Sequence, residues 1–435
     1  MDLPNGSAPL HPDEVSERSK YLFFILLGGA LIILAFFFNS PQEIWAGSIT
    51  ILTSPANLIT DYFELANIGA TLLNAGIMTL TSLALIRTNH AKLTGSLAAA
   101  IFTVAGFSFF GKNLYNSMPI ILGVILYSKI VSMPFNRFLL QALFGTSLGP
   151  LVSEITFHLN LPTAAGFVMG ISAGMLAGLI LPPLSGHFLK FHQGFNLYNI
   201  GFTAGIVGMF FLAIFRGFGI EIEMVSILSS GNNGSFSIML YVLFACMLIW
   251  GLYLNHWSLK GYGRLLSLSG KLATDFVTIA GLGLTLINMA FLGMLSTSYV
   301  LAVGGEINGP IIGGIFTVVG FGAFGKHIKN VAPIFAGVYL ANLFIVHDAS
   351  STISLLGALF GTTLAPLAGY YGIGAGVIAG ALHMVMVTNI SYLHAGMNLY
   401  NNGFSGGFIA AALVPLFDTA AQIREARKGT NLIDP

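Results

Sequence analysis

Charge is what this chain lacks most. Asp, Glu, Lys and Arg make up 8% of its 435 residues, against about 25% in a typical soluble domain. With 55% hydrophobic residues and a mean hydropathy of +0.84, it has too little polar surface to cover a water-soluble globule. Cysteine is nearly absent too. The one residue, Cys246, sits in an apolar run and cannot form an intrachain disulfide, so the redox compartment is left open. A net charge of +1 with no basic cluster argues against a nucleic-acid partner. No Cys/His metal constellation and no nucleophile–base pair at recognisable spacing occurs. His187 and His192 are five apart, off the spacing that shares a helix face. No metal and no cofactor is expected, and the chain is not read as an enzyme.

What is present is apolar length. Uncharged apolar runs of roughly 18 residues or more recur throughout, each a candidate membrane helix. The first, from Tyr21 to Phe38, follows a polar stretch with Asp13, Glu14 and Glu17. It is long for a signal-peptide core and lacks a small-residue cleavage site, so it reads as a retained helix.

An internal repeat organises the rest. IFTVAGFSFFGKNLYNSMPIILGV at 101–124 and IFTVVGFGAFGKHIKNVAPIFAGV at 315–338 share 14 of 24 positions at an offset of 214, which also pairs Asp61 with Asp275 and Asn74 with Asn288. ALFGTSLGPL at 142–151 matches ALFGTTLAPL at 358–367, and HQGFNLYNIGFTAG at 192–205 matches HAGMNLYNNGFSGG at 394–407 with 9 of 14 identical. Agreement at Lys, His, Asn, Tyr and Pro in a fixed order exceeds what two unrelated apolar helices share. The domains are therefore 1–216, a first membrane repeat, and 217–435, a second. Asn113-Leu-Tyr-Asn116 recurs as Asn196-Leu-Tyr-Asn199, which hints at an older, smaller unit or is coincidence.

Loop charge predicts orientation, because cytoplasmic loops carry excess Lys and Arg. Arg18 and Lys20 precede the first helix, and Arg87, His90 and Lys92 follow the second. In the second repeat the pattern reverses: Glu221 and Glu223 precede its first helix, His256, Lys260, Arg264 and Lys271 follow it, and Glu306 stands where Arg87 and Lys92 would. The fold expected is all-α, a polytopic integral membrane protein of two inverted-topology repeats with broken or re-entrant helices. Seven apolar segments per repeat, or five spans and a hairpin, give about 10–14 membrane segments and both termini cytoplasmic, in a bacterial inner membrane.

Three elements carry the candidate chemistry. In the first, Lys112 and Lys326 stand in Gly-Lys-x-x-x-Asn-x-x-Pro, with Asn116 and Asn330 behind them and Thr103 and Thr317 ahead. Gly111 and Gly325 would loosen one helix, and Pro119 and Pro333 suit the first turn of another, whose free amides attract negative charge. An ionisable residue at membrane depth is a functional candidate; the other reading is a lysine that snorkels to the interface. The same residues spell G-x-x-x-x-G-K, but Asn113 and His327 replace the P-loop Ser/Thr and no strand precedes them, which argues against nucleotide binding. The second element holds His192, Asn196, Tyr198 and Asn199, repeated as His394, Asn398, Tyr400 and Asn401. Such donors and acceptors can line a polar pathway, with His titrating near neutral pH, or serve as interhelical hydrogen bonds. The third, Phe-Gly-Thr-x-x-x-Pro at 144–150 and 360–366, looks like a helix break with a hydroxyl.

The duplicated pattern over nearly the whole chain resembles an uncharacterised bacterial family of multi-pass membrane proteins of unknown function. That resemblance implies no substrate. More distantly the inverted duplication, with Asn196-Leu-Tyr-Asn199 loosely echoing a Gly-Tyr-Asn element, is similar to urea transporters. Their Leu-Pro-x-x-Thr-x-Pro-Phe motif has no clear copy, and they place no lysine pair at the repeat breaks, so no urea site transfers residue by residue. The function expected is membrane transport, by a secondary transporter or channel, of a small polar or anionic solute or ion between the two repeats. The partners are that solute and the lipid bilayer, with homo-oligomer formation left open. The alternatives are a neutral urea- or ammonia-like solute, or a membrane-embedded enzyme or scaffold.

Overall fold

The computed structural model describes residues 16–54, 56, 59–159, 161–222, 224–272 and 274–430, with side chains as far as Arg427. Asp13, Glu14, Glu223 and the extreme termini lie outside the described residues.

The first ten helices are α1 (Glu17–Phe38), α2 (Pro41–Thr53), α3 (Tyr62–Leu65), α4 (Ile68–Thr88), α5 (Gly95–Phe107), α6 (Leu114–Ile130), α7 (Leu139–Gly145), α8 (Gly149–Phe157), α9 (Thr163–Phe191) and α10 (Asn199–Gly217). The second set is α11 (Asn233–Leu254), α12 (Tyr262–Leu265), α13 (Phe276–Ala302), α14 (Gly309–Phe321), α15 (Ile328–Asn342), α16 (Thr352–Gly361), α17 (Ala365–Tyr371), α18 (Ile373–Val387) and α19 (Asn401–Thr430). Short 3-10 turns at Thr146–Leu148 and Thr362–Leu364 join α7 to α8 and α16 to α17. Caps fix the starts. Ser40 opens α2 with a capping box to Glu43, ahead of Pro41, and the Ser40 amide and hydroxyl hold the Glu43 carboxyl below the usual carboxylate range.

Direction follows from contacts. Tyr21 near the start of α1 donates to the Ala91 carbonyl just past the end of α4, at 3.2 Å. At the opposite end the Gly69 amide donates to Asn39 Oδ1 at 2.9 Å, so α1 and α4 run antiparallel. α5 then descends from the end of α4 and stops beside Asn74, early in α4. α6 returns: Ile121 and Val124 pack with Leu85, late in α4. α5 and α6 are thus a re-entrant hairpin that enters and leaves by one face. α14 and α15 repeat it, with Asn288 at the tip and Phe335 stacked on Tyr299, late in α13, at 4.6 Å. The choice between fourteen spans and ten spans with hairpins falls on the latter. Among the described residues nine helical stretches are long and apolar enough to cross a bilayer. α18, the repeat counterpart of α9, has 15 residues, falls below that length and links α17 to α19.

The halves are inverted. α1 and its counterpart α11 run antiparallel along an apolar groove of about 520 Å³, with Phe23 facing Trp250 and Phe38 near Ser235. α5 and α14 also pack antiparallel. A methyl on Gly106 would meet the Gly313 carbonyl oxygen at 2.8 Å, and one on Gly320 the Ala99 carbonyl oxygen at 3.1 Å, contacts that only small residues allow. All 13 residues of α14, and all of α5 except Ser96, are buried, so these helices are apolar all round.

The halves also cap one another. Asp275, the cap of α13, accepts from the Gly95 amide at 2.8 Å, and Asp61, the cap of α3, accepts from the Gly309 amide at 3.2 Å. Both described ends of the chain emerge at one face, with Arg18, Lys20, Arg87, Lys92, Arg264 and Arg424, while Glu43, Glu64, Glu221, Glu306 and Asp348 mark the other.

Candidate functional site

The two hairpin tips meet the two unwound strips at the centre. After α5, Gly111 takes φ +75° and after α14, Gly325 takes +95°, a region that favours glycine. The chain turns there and presents Lys112 and Lys326, both fully buried. The freed carbonyls are taken. Asn74 donates to Ser108 and Lys112 oxygens at 2.8 and 2.9 Å, and Asn288 to Gly322 and Lys326 oxygens at 2.8 Å each. Asn116 donates to the Gly111 oxygen at 3.0 Å and Asn330 to the Gly325 oxygen at 2.9 Å.

One sequence expectation about the tips is narrowed and one corrected. Capping boxes, Asn113 with Asn116 and His327 with Asn330, take up two of the amides at the start of each of α6 and α15. Pro119 and Pro333 lie inside the helices rather than in their first turns, because the caps set the start several residues earlier.

The second element unwinds between α9 and α10, and again before α19. Each strip docks on the other half. The Leu197 amide donates to the Thr363 oxygen at 3.1 Å and the Leu399 amide to the Ser147 oxygen at 3.0 Å. Asn196 reaches the Gly403 oxygen at 3.0 Å, and Asn398 the Gly201 oxygen at 3.3 Å. His192 pairs with Asn199 at 2.9 Å and His394 with Asn401 at 3.0 Å; both asparagines donate onward to backbone oxygens. Asn113-Leu-Tyr-Asn116 caps a helix whereas Asn196-Leu-Tyr-Asn199 is a strip, so the nested likeness has no common geometry.

Tyr198 and Tyr400 meet across the pseudo-twofold, ring centroids 5.0 Å apart. Phe107 lies 4.7 Å from Tyr400 and Phe321 4.7 Å from Tyr198; Phe144 is 6.2 Å from Tyr400 and Phe360 6.3 Å from Tyr198. Lys112 Nζ sits 5.2 Å from the Phe107 centroid and Lys326 Nζ 5.1 Å from that of Phe321. The matched distances define one symmetric box of six rings and two lysines.

Its hydrogen bonds are not symmetric. Lys326 donates to the Tyr198 hydroxyl at 2.5 Å and to Thr362 Oγ1 at 2.6 Å. Thr317 donates to the Gly313 oxygen at 2.8 Å, and Thr363 Oγ1 to Asn196 Oδ1 at 2.5 Å. Their counterparts Lys112 Nζ, Tyr400 OH, Thr103 Oγ1 and Ser147 Oγ are buried and have no hydrogen-bond partner among the described residues, although Thr103 stands beside the Tyr400 hydroxyl. A cavity of about 130 Å³, lined by Gln141, Phe144, Tyr198, Asn199, Phe321 and Tyr400, touches the box; Ser96 and Leu140, at the starts of α5 and α7, place its mouth toward the basic face.

Sequence reasoning did not single out Thr362, although its motif was noted, nor His383. The latter is buried against Gly361 and bonds Asn402 at 2.8 Å and Ser405 at 3.3 Å. Its repeat counterpart is Leu181, so pairing the halves hides it. Among the described residues no cluster of three or more His, Cys, Asp or Glu is placed to hold a metal ion.

No curated protein and no solved structure matches the chain significantly, and the likeness to urea transporters stands unconfirmed. One family does match, over residues 40–217 and 254–419, stretches that fall on the two structural halves. The chain belongs to the family described as "Protein of unknown function (DUF1576)".

Proposed function

We propose that the protein passes a small polar or anionic solute across the membrane through the centre of the molecule, between the two hairpin tips. The observation that carries this reading is the pair of buried lysines at the breaks, set in a ring-lined box shared by both halves, with no salt bridge to either among the described residues. A buried unpaired ammonium is costly, and a scaffold has no use for it. An enzyme needs an asymmetric set of acid, base and nucleophile, whereas these groups come in matched pairs. Inverted repeats with broken helices at mid-depth are the arrangement in which alternating access exposes one site to each side in turn. The basic face is read as cytoplasmic, which puts both termini inside in a bacterial inner membrane.

The test is flux in liposomes holding the purified protein. Anion flux in the wild type that disappears in Lys112→Ala and in Lys326→Ala is the expected result. Neutral-solute flux that persists in both variants, with no anion flux in the wild type, would overturn it in favour of a urea- or ammonia-like channel.

A further inference from the structure

The two lysines are equivalent by repeat, yet Lys326 Nζ is hydrogen-bonded and Lys112 Nζ is not. We infer that three buried groups gathered around Phe107, Lys112 Nζ, Tyr400 OH and Thr103 Oγ1, form the binding site for one small monovalent anion, and that Lys326, Tyr198 and Thr362 form a latch. This deepens the transport reading and rests on it for the site's location.

The ligand's chemistry follows from what the site still offers. Its backbone acceptors are used: Ser108 and Lys112 oxygens accept from Asn74, and the Gly111 oxygen from Asn116. Thr146, placed like Thr362, already gives its proton to the Leu143 oxygen. What remains is one ammonium and the two neighbouring hydroxyls of Tyr400 and Thr103, all buried. A buried polar group left unmet costs about 1–3 kcal/mol, more for the charge. A ligand made only of acceptors satisfies them together; urea or ammonia could bond the hydroxyls, which also accept, but would leave the ammonium's charge uncompensated. A single negative charge also matches a single ammonium. Halide, nitrate or formate fits the charge.

The latch closes the same geometry on itself. Lys326 spends two of its three donors on Tyr198 and Thr362, with Nζ 4.5 Å from the Tyr198 ring centroid, so most of its donor capacity is taken within the protein. Tyr198 belongs to the first half and Lys326 to the second, so the latch also fastens the halves. An open site on one side and a latched site on the other are the two forms that an inverted repeat can exchange.

Binding is measured without transport, from the melting temperature of detergent-solubilised full-length protein titrated with chloride or formate, gluconate holding ionic strength constant. Wild type should be stabilised saturably. Lys112→Met should weaken that binding more than tenfold, and Tyr400→Phe at least fivefold with the anion-free melting temperature little changed. Tyr198→Phe and Lys326→Met should lower the anion-free melting temperature and shift affinity less than threefold. Equal losses of affinity in the Lys112 and Lys326 variants, or no saturable stabilisation of the wild type by either anion, would overturn the inference. Saturable binding of this pattern without flux in liposomes would sink the transport reading and leave the anion site standing.

Discussion

Most of the polar side chains at the centre are spent on holding the backbone, and two asparagines show why that residue type is needed. The planar amide of Asn74 presents two donors on one nitrogen and spans the Ser108 and Lys112 oxygens; Asn288 does the same 214 positions later. Removing either amide leaves two buried carbonyls unmet, at about 1–3 kcal/mol per group. Asn74→Ala and Asn288→Ala should each lower the melting temperature of the detergent-solubilised protein by several degrees, and Asn74→Asp, which keeps the shape but loses the donors, should do no better than alanine. A melting temperature unchanged in both alanine variants would show that the clamps are dispensable. Sequence showed these residues only as matched polar positions at the repeat offset. It could not show that Asn116, Asn330, His192 and His394 hold turns and strips together, since a hydrogen bond to a backbone oxygen leaves no pattern of its own.

At the scale of helices, the hairpins explain why apolar runs alone left the pass count open. α5 and α14 have 13 residues each, about 20 Å at 1.5 Å per residue, short of a hydrocarbon core about 30 Å thick. Their composition is as apolar as that of a span because they lie wholly inside protein. Only the tip contacts with Asn74 and Asn288, and the return of α6 and α15 along α4 and α13, separate a hairpin from two crossings. The antiparallel α5–α14 contact is the seam on which both tips are mounted. Gly106→Leu would drive a side chain into the Gly313 backbone and Phe316, an overpacking worth about 1–3 kcal/mol. That variant should shorten the protein's half-life in detergent at fixed temperature severalfold, while Gly29→Leu on α1, where a Cβ meets nothing within 4 Å, should leave it unchanged. Equal half-lives would mean that the seam tolerates separation.

Across the whole molecule, inversion was legible because loop charges change sign between repeats, as from Arg87 and Lys92 to Glu306. The interlock was not: Asp61 capping α14, Asp275 capping α5, and each Asn-Leu-Tyr strip docking on the other half are contacts between residues roughly 165 to 250 apart. These cross-braces tie the two halves to one another at both tips. They also fix a topology that can be read without any knowledge of the solute. Residues 88–93 close the α4 end at the basic face, and residues 304–307 close the corresponding α13 end at the acidic face. Cys246 is the one native cysteine, so a Cys246→Ser background allows single cysteines at Asn89 and Gly304, both in loops. In sealed cells an impermeant thiol reagent should label one and spare the other. Orienting by charge, Gly304→Cys should be labelled from outside and Asn89→Cys only after permeabilisation. Labelling of both from the same side would make the repeats parallel. That outcome would contradict the antiparallel α1–α11 and α5–α14 pairs together, because each of those helices is tied to its neighbours at both ends.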